Sequence, residues 1–331
     1  MSWWLRGRLL ASIFVTCSTV QITHPVGHDT ADPLSSDFLQ PLLVVDENST
    51  ADAPSLMNAS SWDPLMRLVL PSLHSQAASH QRDALLCRLK SRFPVAQVQQ
   101  MFPHSRTCSV VSSSGVMIFH SHGHHIDSAE TVLRFNLAPS AGRFGQQVGS
   151  KETIRIMNEG GPRRLTLGRL KPDLAVNAVK DLVVIPVVNY PDMGAMQTLR
   201  SRYPTKQLKV LPKEIFLASE NALRSIYDTA WFERHKAKGV RFDSTSGFVG
   251  MLAMLSVCDE VRAFGMAATP RGAQASYHYF DGEMAEADAN SNTWHINFQA
   301  EKDLWRRMAL NPAKLDETDV VEMPGFSKLS C

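Results

Sequence analysis

Residues 108–158 read CSVVSSSGVMIFHSHGHHIDSAETVLRFNLAPSAGRFGQQVGSKETIRIMN. The block opens on an apolar β-type run and breaks into a turn of small residues, Ser112-Ser113-Ser114-Gly115. Such a strand-to-turn junction lets backbone N–H groups converge on a phosphate, because nothing bulky blocks close approach. Asn136, closing LRFN, and Asn158, closing IRIMN, each end a short β-like run. In an open α/β sheet such strand ends line the ligand crevice. The block reads as half of a nucleotide site, with Ser113, Asn136 and Asn158 as candidate contacts.

Working outward, CSVVSSS, ETVLRFN, ETIRIMN, DLVVIPVVNY and QLKVLP have the β-branched, apolar centres of buried strands. Helical patterns alternate with them. Asn221 to Lys236 places Leu223, Ile226, Tyr227, Ala230 and Trp231 on one face. Gly247 to Val257 is apolar almost all round and reads as a buried helix. This alternation implies a single, doubly wound, mostly parallel α/β sheet. Residues 81–331, about 250 of them, are enough for one domain with a substantial core, and no internal repeat interrupts them. The 331-residue chain carries a net charge of +2 with 20% charged residues. That balance has no basic excess suited to nucleic acid.

The N-terminus differs. MSWWLRGR (1–8) is a short basic segment, and residues 9–24 begin with the apolar stretch Leu9 to Val20. About a dozen apolar residues is short for a membrane span of ~20. Both a cleaved signal peptide and a signal anchor fit, and either places the chain in the secretory pathway. Residues 25–80 are rich in Pro, Ser and Asp and read as a stem or linker. They hold two N-x-S/T sequons, at Asn48 and Asn58. Beyond Cys17, four cysteines remain (Cys87, Cys108, Cys258 and Cys331), and four allow three pairings.

Three later stretches carry chemistry. In DSTSGFVGMLAMLSVCDEV, Thr245, Ser246 and Gly247 open the buried helix, where free N–H groups and the dipole favour an anion. His278-Tyr279-Phe280-Asp281 sets an imidazole beside a phenol, both able to donate to a phosphate. Trp294-His295, followed by Glu301 and Lys302, offers a histidine suited to taking a proton from a hydroxyl near neutral pH. The run His120, His122, His124, His125 has the residue type of a metal site but reads as a solvated loop, so no metal is expected.

Taken in order, C-x-VVSS-x-G, ID, VLRFN-x-AP, QQVGSK and TIR-x-MN resemble the long sialylmotif of the animal-type sialyltransferases, most of all the β-galactoside α2,6 group. The block ending in Cys258 resembles the short sialylmotif, with Ser244 where that family usually has Pro. HYFD resembles the third motif. His295 resembles the base of the fourth, in which four residues separate His from Glu; here five intervene before Glu301. The terminal EMPGFSKLSC resembles the end of the α2,6 group. The resemblance covers most of residues 85–331.

It implies a Rossmann-like glycosyltransferase fold of the GT-A-variant kind and an inverting, metal-independent transfer of sialic acid from CMP-sialic acid to a terminal galactoside, α2,6-linked. It implies no cofactor beyond that donor. His295 would be the general base. Ser113, Asn136 and Asn158 would hold the nucleotide; Thr245, Ser246 and Gly247 the base and the sialic acid carboxylate; His278 the phosphate. Trp294 and Lys302 would also bind the donor. It pairs Cys108 with Cys258 and Cys87 with Cys331. It favours a Golgi, single-pass type II anchor with residues 81–331 in the lumen, and a glycan or glycoprotein acceptor. A CMP-Kdo donor, an α2,3 or α2,8 linkage, and an inactive lumenal CMP-binding protein stay open. A nicotinamide oxidoreductase lacks its G-x-G-x-x-G here.

Overall fold

A computed structural model of the chain describes residues 76–158, 161, 181–184, 193–227, 243–280 and 297–331. The tail, the apolar stretch, most of the stem and both sequons lie outside the described residues. So do Trp294 and His295.

The strands are β1 (Ser105–Val111), β2 (Thr131–Phe135), β3 (Ile154–Met157), β4 (Asp181–Val184), β5 (Gln207–Val210), β6 (Cys258–Phe264) and β7 (Val320–Pro324). They form one sheet in the order β5-β4-β3-β2-β1-β6-β7. Every pairing is parallel except the edge strand β7, which runs antiparallel to β6. The chain steps outward from β1 to β5 and then returns to add β6 on the other side of β1. The strand order therefore reverses between β1 and β6. That reversal opens a crevice at the carboxyl ends of the strands.

Helices cover both faces, as the apolar strand centres require. The short helices α3 (Gly123–Asp127) and α4 (Gly145–Val148) bury Ile126 and Val148 against Val111, Val132 and Phe264. The opposite face carries α1 (Gln76–Arg92), α2 (Val95–Met101), α6 (Lys213–Arg224), α7 (Ser246–Val257) and α8 (Phe298–Arg307), packed on Val110, Leu133 and Ile156. Helix α5 (Met193–Arg202) precedes β5, and α9 (Pro312–Thr318) precedes β7.

Helix α7 is the keystone of that face, with every residue from Phe248 to Val257 buried. Its Gly250 lies against Phe135 and Leu133; a Cβ there would come within 2.5 Å of the Phe135 ring. Close approach, not flexibility, sets this glycine. One expectation is displaced. The pattern placed a helix over 221–236, whereas the described helix runs Lys213–Arg224 and closes in a turn through Ser225, whose N–H donates to Asn221 O. Pro212 supplies the start, its fixed φ being compatible with a helix entrance; residues 228–242 lie outside the described residues.

Both disulfides pair as the resemblance implies, Cys87–Cys331 and Cys108–Cys258. The second joins mid-β1 to the junction of α7 and β6, so it ties the long block to the short one directly.

Candidate active site

Four stretches meet along the carboxyl edge. The first is the serine turn after β1, at the point where strand order reverses. Ser112 N–H donates to Phe264 O at the end of β6, and Ser112 Oγ accepts from Ser114 N–H. Ser114 then caps the 3-10 turn Gly115–Phe119, accepting from Val116 N–H. Gly115 has no room for a side chain: a Cβ would sit 2.3 Å from the carbonyl oxygen of Ser276.

The second is the segment around His278, which docks on that turn. Gly115 N–H donates to Ser276 O at 2.9 Å, and Tyr279 N–H to Ser113 O at 3.0 Å. Tyr279 is buried; its hydroxyl donates to Pro139 O, and burial pushes its phenol far above the usual range. His278 is half-buried, stacked on Phe280 at 4.9 Å and tilted on Tyr277 at 4.4 Å. The serine turn and His278, separated by some 160 residues of sequence, therefore share one wall.

The third is the asparagine pair. Asn136 adopts a left-handed backbone (φ 47°), which Asn tolerates better than most residues. Its Oδ1 accepts from Asn158 N–H at 2.9 Å, and Asn158 Oδ1 accepts from Gly161 N–H. Sequence reasoning passed over what holds them, the arginines of LRFN and TIRIMN. Arg155 is buried, paired with Glu152 at 2.5 Å, and donates to the carbonyls of Asn136 and Ala138. Arg134 donates to Val148 O and Lys151 O. Both lie within strands whose neighbours are apolar, where a charged residue is legible as a buried bracket only once its acceptors are known.

The fourth is the amino end of α7. Thr245 caps it, its hydroxyl accepting from Phe248 N–H at 3.0 Å. The N–H groups of Ser246 and Gly247 belong to the unpaired first turn of the helix and are available to an anion. Met266, just beyond β6, lies against Gly247 on one side, and its neighbour Gly265 abuts Ser112 on the other.

Glu301, one position late by motif spacing, occupies a defined place. It is buried on α8 and accepts from Thr245 N–H at 2.9 Å, from the Thr245 hydroxyl at 2.5 Å and from Asn297 Nδ2 at 2.8 Å. Asn297 also donates to Asp243 O. Burial pushes the Glu301 carboxyl up to about 8, with the three donors holding it back in part. Glu301 is thus a brace that ties α8 to the first turn of α7. Lys302 is buried beside it, its ammonium 4.9 Å from the centre of the Phe298 ring.

That brace gives a pH prediction. Because the folded Glu301 binds its proton more tightly than an unfolded glutamate (~4.3), its contribution to stability is fullest below about pH 4 and falls as pH rises towards 8. Glu301→Gln, which keeps both an acceptor and a donor, is expected to remove that decline. Urea unfolding should show the variant gaining on the unaltered protein by a few kcal/mol between about pH 5 and 8. A gap that stays constant with pH would contradict it.

The histidine run is corrected. His124 and His125 are exposed on α3, but His120 and His122 are not a solvated loop. His120 pairs with the buried Asp319, and His122 with the carbonyl of Thr318.

The model of glycosyltransferase family 29 (sialyltransferase) matches residues 52–312. The chain is 27% identical over 295 residues to "Beta-galactoside alpha-2,6-sialyltransferase 2" of Danio rerio, covering 77% of this chain and 54% of that protein. It is 28% identical over 188 residues to "CMP-N-acetylneuraminate-beta-galactosamide-alpha-2,3-sialyltransferase 1" of Gallus gallus, covering 57% of this chain and 51% of that one. The chain spans about half the length of the curated relatives it matches. A crystal structure of a mammalian sialyltransferase aligns over 74% of this chain and 84% of its own, with a TM-score of 0.38 and 18% identity.

Proposed function

The chain belongs to glycosyltransferase family 29, the sialyltransferases, and from that premise we propose that it moves sialic acid from CMP-sialic acid to a terminal galactoside, α2,6-linked, with inversion. The observation that carries this reading is the docking of the His278 segment on the serine turn, through Gly115 to Ser276 and Tyr279 to Ser113. It sets a hydrogen-bond donor beside a phosphate-compatible turn at the switch point of the sheet.

In this reading the acceptor hydroxyl attacks the anomeric carbon as the bond to the CMP phosphate breaks. His295 takes the hydroxyl proton, and His278 donates to the departing phosphate. The N–H groups of Ser246 and Gly247 serve the sialic acid carboxylate, and Asn136 and Asn158 the nucleotide. No metal is required, since a nucleoside monophosphate leaves with less charge than a diphosphate. The acceptor is a glycan or glycoprotein, and residues 9–24 anchor a lumenal enzyme in the Golgi membrane.

The test is transfer from CMP-sialic acid to an N-acetyllactosamine acceptor, with product linkage read by α2,6- and α2,3-specific lectins. An α2,6 product is expected. An α2,3 product would overturn the linkage, and CMP binding without transfer or donor hydrolysis would overturn the activity.

A further inference from the structure

Two segments at the carboxyl edge are clamped together at both ends. At one end, Gly115 and Tyr279 hydrogen-bond across the serine turn as described above. At the other, His120, which closes the 3-10 turn Gly115–Phe119, meets Arg271, which opens the 3-10 turn Gly272–Gln274. His120 Nε2 lies 2.7 Å from Arg271 Nη1 and 2.6 Å from Asp319 Oδ2.

A guanidinium N–H only donates, and a carboxylate only accepts. One ring nitrogen holds either a hydrogen or a lone pair, so Nε2 serves one of these neighbours at a time. Only a neutral ring reaches the tautomer that accepts from Arg271. The imidazolium must donate to Asp319, and it then faces the guanidinium as a second cation. Asp319 is the fixed member. It is buried in the left-handed cap of α9, accepts from the Thr269 hydroxyl, and its carbonyl accepts from Gly265 N–H. Arg271 is the member free to move, being 38% exposed against 2% for Asp319, with its remaining bonds to Asp319 Oδ2 and Glu317 O at 3.0 and 3.1 Å. The other ionisable neighbours are His122, stacked on His120 at 4.7 Å, and His125 beyond it. Burial lowers the His122 pKa, so that ring leans towards its neutral form.

We propose that His120 is a positioning residue that senses protons: when neutral it accepts from Arg271 and helps keep the segment through His278 docked on the serine turn, and when protonated it donates to Asp319 and, facing Arg271 as a like charge, loosens the hold on that segment, leaving Arg271 only its bonds to Asp319 and Glu317. The effect on nucleotide binding rests on the donor-site reading above; the latch itself does not.

The test compares the full chain with His120→Gln, whose amide oxygen accepts from Arg271 while its NH₂ donates to Asp319 at any pH. His124→Gln is the exposed control. CMP affinity is measured by calorimetry at about pH 7.5 and about pH 5.5, either side of the imidazole range. Comparing the two proteins at each pH cancels the titration of CMP and of the other histidines. The two should agree within about twofold at the higher pH, and the unaltered protein should be weaker by roughly threefold to tenfold at the lower. Hydrogen exchange of the peptide 269–280, corrected for intrinsic rates, should show protection lost at the lower pH in the unaltered protein alone. An affinity ratio and a protection pattern that do not change with pH overturn the latch. Exchange that responds to pH in a protein that binds no CMP keeps the latch and overturns the donor-site reading.

Discussion

Replacing His295 by Ala is expected to lower the turnover of sialic acid transfer by roughly two to four orders of magnitude, the range that a positioned general base contributes. CMP affinity should stay within about twofold, because the proposed nucleotide contacts, Ser113, Asn136 and Asn158, lie just past the carboxyl ends of β1, β2 and β3 rather than on the stretch before α8. The change should fall on kcat and reach kcat/KM equally, as it does when an interaction present only in the transition state is removed. The matched control is Glu301→Gln, which retains the brace on Thr245 and should retain most of the turnover. Full activity in the His295→Ala protein would sink the mechanism. Loss of CMP affinity along with turnover would instead make the histidine a binding residue.

Removing the Cys108–Cys258 bridge as the double alanine variant is expected to be the most destabilising change. The two cysteines lie 150 residues apart, and both are 1% exposed. Opening a loop of that length restores unfolded-state freedom worth about 5 kcal/mol in the chain-entropy model, and native bridges removed from secreted domains cost roughly 2–5 kcal/mol. Emptying two buried side-chain sites adds to that. The melting temperature should fall on the order of 10 °C for a domain of this size. The Cys87–Cys331 bridge closes a longer span, but Cys331 is exposed, so its loss leaves no cavity in the sheet. A melting temperature within about 2 °C of the unaltered protein would mean that the Cys108–Cys258 bond is not formed.

The strand ends were the most legible part of this chain. CSVV, TVLRF and TIRIM are short apolar runs, each closed by a small or turn-forming residue, and burial on both faces of a parallel sheet demands that pattern. Helix α7 was equally plain, because only a fully buried helix is apolar all round. The start of the helix expected at residue 221 was not legible because a one-sided apolar stripe does not mark its own start. The helix that covers 221–224 begins at Lys213, after Pro212, and residues 228–236 of the expected span lie outside the described residues. Glu301 was judged by motif spacing, which measures distance along the chain; its role depends on Thr245, 56 residues away. Nothing in the histidine run itself marks it as other than a solvated loop, yet His120 finds its carboxylate 199 residues downstream.

The sequence by itself determined the sheet class, the strand ends that face the crevice and the family, since each is written in local periodicity or in the order of contiguous motifs. Only the tertiary structure decided that Asn136 bonds to Asn158, that Glu301 braces Thr245 and that His120 stands between Arg271 and Asp319. Side-chain patterning along a chain records which face is buried. It does not record which distant polar group will satisfy a buried donor or acceptor, because that partner is chosen by the packing of elements remote in sequence.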